Sequence, residues 1–166
     1  MRRQVLSILV ENTSGVLSRV SGLFSRRGYN VDSITAGVTT DPRYTRMTIV
    51  TSGDELILEQ IEKQLAKLED VIDIKQLRDG ESVCRELILV KVHAGEEDRQ
   101  AIVSIANIFR AKVGDVSLDS MVIERTGGQG KLDAFLELMA GYEILELART
   151  GITGLTRGSA DVTYLD

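Results

Sequence analysis

The sequence predicts an α+β chain built from two consecutive βαββαβ sandwiches. Three observations carry that expectation. Apolar residues switch between strand-like and helix-like spacing in the order β, α, β, β, α, β; the same order returns about 80 residues later; and the polar stretch Arg78-Asp79-Gly80-Glu81-Ser82 divides the two copies. The chain has 166 residues and 43% apolar content, carried almost wholly by aliphatics because it holds three Phe, four Tyr and no Trp. A chain of this size still buries roughly two thirds of its unfolded surface, enough for a core.

Residues 2–10 include the run Val5-Leu6-Ser7-Ile8-Leu9-Val10, a first strand ended by the turn Glu11-Asn12-Thr13-Ser14-Gly15. Val16, Leu17, Val20, Leu23 and Phe24 then make one helical stripe, closed by Gly28 after Arg26 and Arg27. Residues 31–39 alternate weakly, Thr40-Asp41-Pro42-Arg43 turns the chain, and residues 47–50 alternate again, which predicts a hairpin. Ser52-Gly53-Asp54-Glu55 is a capping box ahead of Ile57, Ile61, Leu65 and Leu68, and residues 71–77 return as a fourth strand. The second half opens with a strand over residues 86–93. A helix follows on Ile102, Ile105, Ala106, Phe109 and Val113 behind Glu96-Glu97-Asp98, then strands at 116–118 and 121–123, a helix on Leu132, Phe135, Leu136 and Met139, and a strand at 144–148. Two tandem ferredoxin-like sandwiches follow, residues 1–78 and 83–166. The glycine-rich tail from Thr150 has no assigned element.

Composition excludes several functions. The formal net charge is −5, and because residues 1–80 hold 11 basic and 11 acidic side chains, the excess acid lies wholly in the second half. That is no footprint for nucleic acid or an anionic membrane. The βαββαβ order is shared with RNA-recognition modules, which stack bases on aromatics of their central strands; the first strand here has no aromatic and the third only Tyr44. No apolar run approaches the ~20 residues that cross a bilayer, and Glu11 interrupts the apolar stretch behind Arg2-Arg3 too early for a secretion signal. A single cysteine, Cys84, and a single histidine, His93, offer no internal disulfide and no metal cluster, in keeping with a reducing cytoplasm.

No acid–base pair, nucleophile elbow or metal-ligand spacing stands out, so no catalytic or metal residue is assigned. Gly127-Gly128-Gln129-Gly130-Lys131 lies where a phosphate loop would, yet Leu132 replaces the Ser or Thr that would reach magnesium. The remaining candidate is the turn from Glu11 to Gly15 together with Gly28-Tyr29-Asn30-Val31-Asp32. Such a turn presents backbone N–H groups at the positive end of a helix, suited to a small carboxylate. Asn12 and Ser14 could equally cap the helix, with Gly15 making the turn.

The stretches Glu11-Asn12-x-Ser14-Gly15-Val16-Leu17-Ser18-Arg19-Val20, residues 22–30, Arg46-Met47-Thr48, residues 59–65, Arg85-Glu86-Leu87, residues 130–135 and Arg149-Thr150-Gly151 resemble the small regulatory subunits of acetolactate synthase. Residues 39–45 and the tail after Gly158 follow no matching pattern. The resemblance implies that the first half is an ACT domain, a sensor that grips an amino acid between two copies. It further implies that Asn12, Ser14, Gly15, Val16 and Leu17 bind the effector from one subunit and Asn30 and Val31 from the other. The second strand, at a sheet edge, would then pair across a dimer axis. The chain would be a cytoplasmic, non-catalytic homodimer that activates a catalytic large subunit and confers feedback inhibition by valine or another branched-chain amino acid. Thiamine diphosphate, magnesium and FAD would belong to that partner and none to this chain. A free-standing amino-acid-responsive regulator and a small enzyme using the 127–131 loop remain the alternatives.

Overall fold

The computed structural model describes residues 1–164. Two compact units divide the chain, one of residues 1–84 together with the chain from Ile152 on, the other of residues 85–151. The first unit runs β1 (Arg2–Glu11), α1 (Val16–Arg27), β2 (Asn30–Val38), β3 (Tyr44–Gly53), α2 (Glu55–Ala66) and β4 (Val71–Gln76). Its antiparallel sheet has the order β2-β3-β1-β4. Leu6, Ile8 and Val10 alternate along β1 onto the face where Met47 and Ile49 also sit, and there meet Val20, Leu23 and Phe24 of α1 and Ile61 and Leu65 of α2. Each such side chain, fully buried, contributes about 1.5–3 kcal/mol, which outweighs the weak intrinsic preference of a 12-residue helix. Gly28, at φ +66°, ends α1 by donating its N–H to Phe24 and Ser25 carbonyls.

The second unit repeats the plan: β5 (Ser82–His93), α3 (Glu96–Ile108), β6 (Lys112–Val116), β7 (Ser120–Gly127), α4 (Gln129–Met139) and β8 (Ile144–Arg149), with β6-β7-β5-β8 neighbours and a separate core around Ile88, Val90, Ile123 and Phe135. The repeat extends to irregularities. The β2–β3 ladder slips at Asp32 and the β6–β7 ladder at Gly114; β1–β4 slips beside Val10 and β5–β8 beside Val92. The predicted α+β pair of ferredoxin-like sandwiches is therefore what the chain forms.

Four local expectations need correction. Strand β3 runs through Ser52 and Gly53, so the cap of α2 is Asp54, whose Oδ1 accepts from the Ile57 N–H at 2.9 Å. Val113 belongs to β6, because the chain leaves α3 through Arg110 at φ +57° and the Ala111 N–H closes back on the Ala106 carbonyl. A non-glycine left-handed stop carries no composition signal. Residues 117–119 are a turn, closed by Ser117 N–H on the Ser120 carbonyl, rather than part of a strand. Finally, the tail does not belong with residues 85–151, as the expected 83–166 domain would have it. From Ile152 it packs in the first unit, where Thr35 Oγ1 donates to the Ile152 carbonyl at 2.9 Å and the Gly154 N–H donates to Thr48 Oγ1 at 3.4 Å. A short strand there, β9 (Thr153–Thr156), pairs with β5, whose first three residues, 82–84, lie in that same first unit.

Candidate functional site

The ten residues of β1 end at Glu11, and α1 begins at Val16 after the four residues 12–15. Gly15 occupies the cap position at φ +80° and ψ 3°, and α1 has no side-chain cap hydrogen bond. The capping role open to Asn12 and Ser14 is thus not the one they take. Asn12 is instead fastened to the β2–β3 connection: its N–H donates to the Arg43 carbonyl at 2.7 Å and its Nδ2 to the Pro42 carbonyl at 3.0 Å. That connection is itself stiffened by the Asp41–Arg43 ion pair at 2.7 Å, which holds the Asp41 carboxyl below its usual range chiefly through the Arg43 hydrogen bond. Residues 39–45, a turn by sequence but one that departs from the family's pattern, are what positions Asn12.

Beyond the cap, Val16 donates its N–H to the Thr13 carbonyl and is 7% exposed within the core, so it shapes the turn from behind. Leu17 lies half out of the core at 51% exposure. Among the described residues the N–H groups of Gly15, Leu17 and Ser18 have no hydrogen-bond partner, so three donors point outward from the positive end of α1.

A side-chain cluster that the sequence did not reveal braces this turn. Arg19 Nε and Nη2 donate to Asp70 Oδ2 and Oδ1 at 2.6 and 3.1 Å, and Thr13 Oγ1 donates to Asp70 Oδ1 at 3.1 Å. The Asp70 carbonyl also receives the Glu11 N–H. The Arg19 hydrogen bond is the main cause holding the Asp70 carboxyl below the usual carboxylate range, against the burial that raises it. Arg19 was visible as the residue four beyond Gly15; Asp70 lies 51 positions away and had no local signal.

The other half of the expected site is at the start of β2. Asn30 is exposed and pairs with Ser52, while Val31 pairs with Thr51 and leans on the core. Ser52 stands at the Arg3 end of β1, whereas Asn12 is held at Arg43, beyond the Glu11 end. Nine residues of strand separate the two levels, roughly 30 Å at about 3.3 Å per residue. Within one chain the turn and the start of β2 are therefore at opposite ends of the sheet. Among the described residues β2 pairs with β3 alone, which leaves its other edge open.

The loop at 127–131 is the end of β7, a cap at Gly128 and the start of α4. Cys84 lies in β5 and is partly buried, and His93 stands exposed at that strand's end.

An antiparallel four-stranded ferredoxin-like layer with an uncapped, donor-rich turn after its first strand is the architecture of an ACT-type regulatory domain. Residues 6–73 match the family model described as an AHAS small subunit-like ACT domain, and residues 85–158 match that described as the small subunit of acetolactate synthase. Among sequence relatives, a probable acetolactate synthase small subunit of Methanothermobacter thermautotrophicus is 51% identical over 93% of both chains. The acetolactate synthase isozyme 3 small subunit of Escherichia coli is 49% identical, over 94% of this chain and 96% of its own. The crystal structure of the acetolactate synthase small subunit of Thermotoga maritima, 40% identical, superposes with a TM-score of 0.88 over 96% of this chain and all of that one. The chain belongs to the acetolactate synthase small subunit family, the regulatory and non-catalytic part of that enzyme, and membership implies a catalytic large subunit as partner. Among the described residues no helix is long and apolar enough to cross a membrane.

Proposed function

We propose that the chain works as a homodimer that binds valine, or a closely similar branched-chain amino acid, at two equivalent sites, and that occupancy transmits feedback inhibition to a catalytic subunit which the empty dimer activates. The observation that carries this reading is the separation of the site's halves within one chain. Antiparallel pairing of two β2 edges sets Asn30 of one copy at the Val38 end of the other. That is the end at which Val38 opposes Thr45 and Thr45 opposes Val10, and so the end that carries the turn. A parallel pairing would keep the halves apart.

In the closed site the effector carboxylate takes the free N–H groups of Gly15, Leu17 and Ser18. Its ammonium faces the carbonyl oxygens of Asn12 and Asn30, and its isopropyl group rests on Leu17 and Val31. Inhibition follows thermodynamically when valine binds the inhibited arrangement of the complex better than the active one. The thiamine diphosphate, magnesium and FAD of the reaction belong in this reading to the large subunit. This chain's share is to hold the amino acid and pass on its presence.

Complementation tests the shared site. Asn30→Ala strands a charged donor and lowers valine affinity by about 1–3 kcal/mol. Gly15→Asp occupies the carboxylate position. Each homodimer binds poorly, whereas a heterodimer of the two variants regains one intact site, built from the unaltered turn of one chain and the unaltered β2 of the other. Calorimetry that finds no recovery in the mixed dimer overturns the shared site.

A further inference from the structure

The first sheet has two faces, and only one of them meets the helices. Ser7 and Leu9 of β1, Arg46 and Thr48 of β3, and Asp73 and Lys75 of β4 share the other, as their register pairs show. The tail lies over that face, held by the Thr35 and Thr48 hydroxyls, and between it and the turn from β2 to β3 a groove of about 590 Å³ opens. Its whole lining belongs to the first unit, with Val38, Thr40 and Arg46 from the hairpin and Thr153, Leu155 and Tyr164 from the tail. The volume lies inside the roughly 300–1,000 Å³ range of small-molecule pockets.

Arg46 is the one charged residue among the described residues of that lining. It is half-buried, and its hydrogen bonding among the described residues is confined to Nη1, which donates to Ser7 Oγ at 3.0 Å. Nε and Nη2 have no partner and are open to solvent, unlike the enclosed Nε atoms of Arg99 and Arg125. No carboxylate answers this guanidinium. Asp73, two strands away on the same face, is taken by Lys75 at 3.6 Å and by the Thr163 hydroxyl at 2.7 Å, and Asp41 is taken by Arg43. By contrast Arg2, Arg19, Arg43 and Arg149 each face a carboxylate. The hydroxyls of Thr40, Thr153 and Tyr164 also lack partners among the described residues. A half-buried cation beside a single neutral hydroxyl is costly, and an oxyanion relieves it by taking the open edge of the fork through two parallel N–H bonds. One cation balances one negative charge, which favours a carboxylate over a phosphate dianion, and Val38, Leu155 and the Tyr164 ring, all exposed, offer apolar surface beside it. We propose that this groove binds a small monocarboxylate with an apolar body, its carboxylate on the Nε–Nη2 edge of Arg46 and its body against Val38, Leu155 and Tyr164. It is separate from the amino-acid turn, which leads into α1 on the helix side of the sheet.

Benzoate is the probe, titrated into the full-length protein and followed by NMR. It binds saturably at one site per chain and moves the amide signals of Gly37, Val38 and residues 153–155. Arg46→Gln weakens binding at least about tenfold, the usual consequence of removing the charge from a hydrogen-bonded ion pair. Gly15→Asp, which closes the amino-acid turn to carboxylates, binds benzoate as wild type does. Circular dichroism checks each variant; should Arg46→Gln fail to fold, Leu155→Glu carries the test, because at a position 58% exposed it sets a carboxylate in the groove and abolishes binding without touching the core. No saturable binding, equal affinity in wild type and Arg46→Gln, or loss of binding in Gly15→Asp overturns the site. Inorganic phosphate that competes as well as benzoate overturns the monocarboxylate assignment.

Discussion

Gly15 holds a left-handed conformation that among other residues Asn and Asp tolerate best, at a cost of about 1–2 kcal/mol. A Cβ there would lie 3.1 Å from Arg19 Nη1, the flexible end of a long side chain, so Gly15→Asp needs only a small displacement of that guanidinium. The fold survives the change. Its new carboxylate would stand about 4 Å from the effector's own, a repulsion of about 4 kcal/mol at an effective dielectric near 20, which solvent at this exposed turn reduces. We expect at least about a hundredfold loss of valine affinity with an unchanged circular dichroism spectrum. A folded variant with normal affinity would move the carboxylate elsewhere. The brace behind the turn has its own pH signature. Because Arg19 lowers the folded pKa of Asp70, the pair contributes stability above the ordinary carboxylate pKa of about 3.9, and that contribution is lost as pH falls through the lower folded value. Urea denaturation should thus show wild type above Asp70→Asn by a constant margin near neutrality, with the margin closing below about pH 4. A margin that persists in stronger acid would mean that the ion pair is not its source. The Gly15 turn could be seen in the sequence from its cap chemistry; its brace could not, because Asp70 reaches it only through folding.

The elements whose limits are set by local chemistry agree with their sequence signals. Gly28 stops α1, and the alternation of Leu6, Ile8 and Val10 faces β1 to the helices. The tail is the contrary case. Thr153 to Thr156 read as glycine-rich chain without an element, yet they form a strand that pairs with β5 and is fastened to hydroxyls of Thr35 and Thr48 in the hairpin of β2 and β3. Gly154 makes the approach possible: a Cβ there would stand 2.6 Å from Cys84 Sγ, 2.9 Å from Leu77 Cδ1 and 3.0 Å from the Val83 carbonyl oxygen. Gly154→Val should therefore cost about 1–3 kcal/mol through overpacking and detach the tail. Chemical denaturation with hydrogen exchange at residues 152–156 checks this; unchanged protection would show that the tail is held by something other than close backbone approach.

Two copies of one topology do not make two copies of one site. The repeat holds through strand order and ladder slips, and Glu11 N–H on the Asp70 carbonyl has its counterpart in His93 N–H on the Glu143 carbonyl. The turn that follows differs. Between β1 and α1 lie residues 12–15, ending in left-handed Gly15; between β5 and α3 lie only Ala94 and Gly95, and Gly95 sits at φ −70°. The second unit lacks the longer turn and the left-handed glycine of the first, and its α3 opens on Glu96, Glu97 and Asp98, whose negative charge opposes a carboxylate. Calorimetric stoichiometry should accordingly be one valine per chain, two per dimer, and a value of two per chain would show that the second unit binds as well.

Local periodicity was enough to establish the fold class, the element order and the internal repeat, because whether side chains recur every two or every 3.6 residues is a property of the backbone itself. It also exposed the turn at Asn12 to Gly15, whose residue types are those that break a strand and start a helix. Contacts between residues far apart in the chain decided the rest. Asp70 meets Arg19 across 51 positions and Gly154 meets Thr48 across 106, and neither pair has a spacing that a one-dimensional pattern could register. The same holds for Asn12 and Asn30: 18 residues apart along the chain, they are set at opposite ends of one sheet by an antiparallel register that exists only once β1, β2 and β3 have paired.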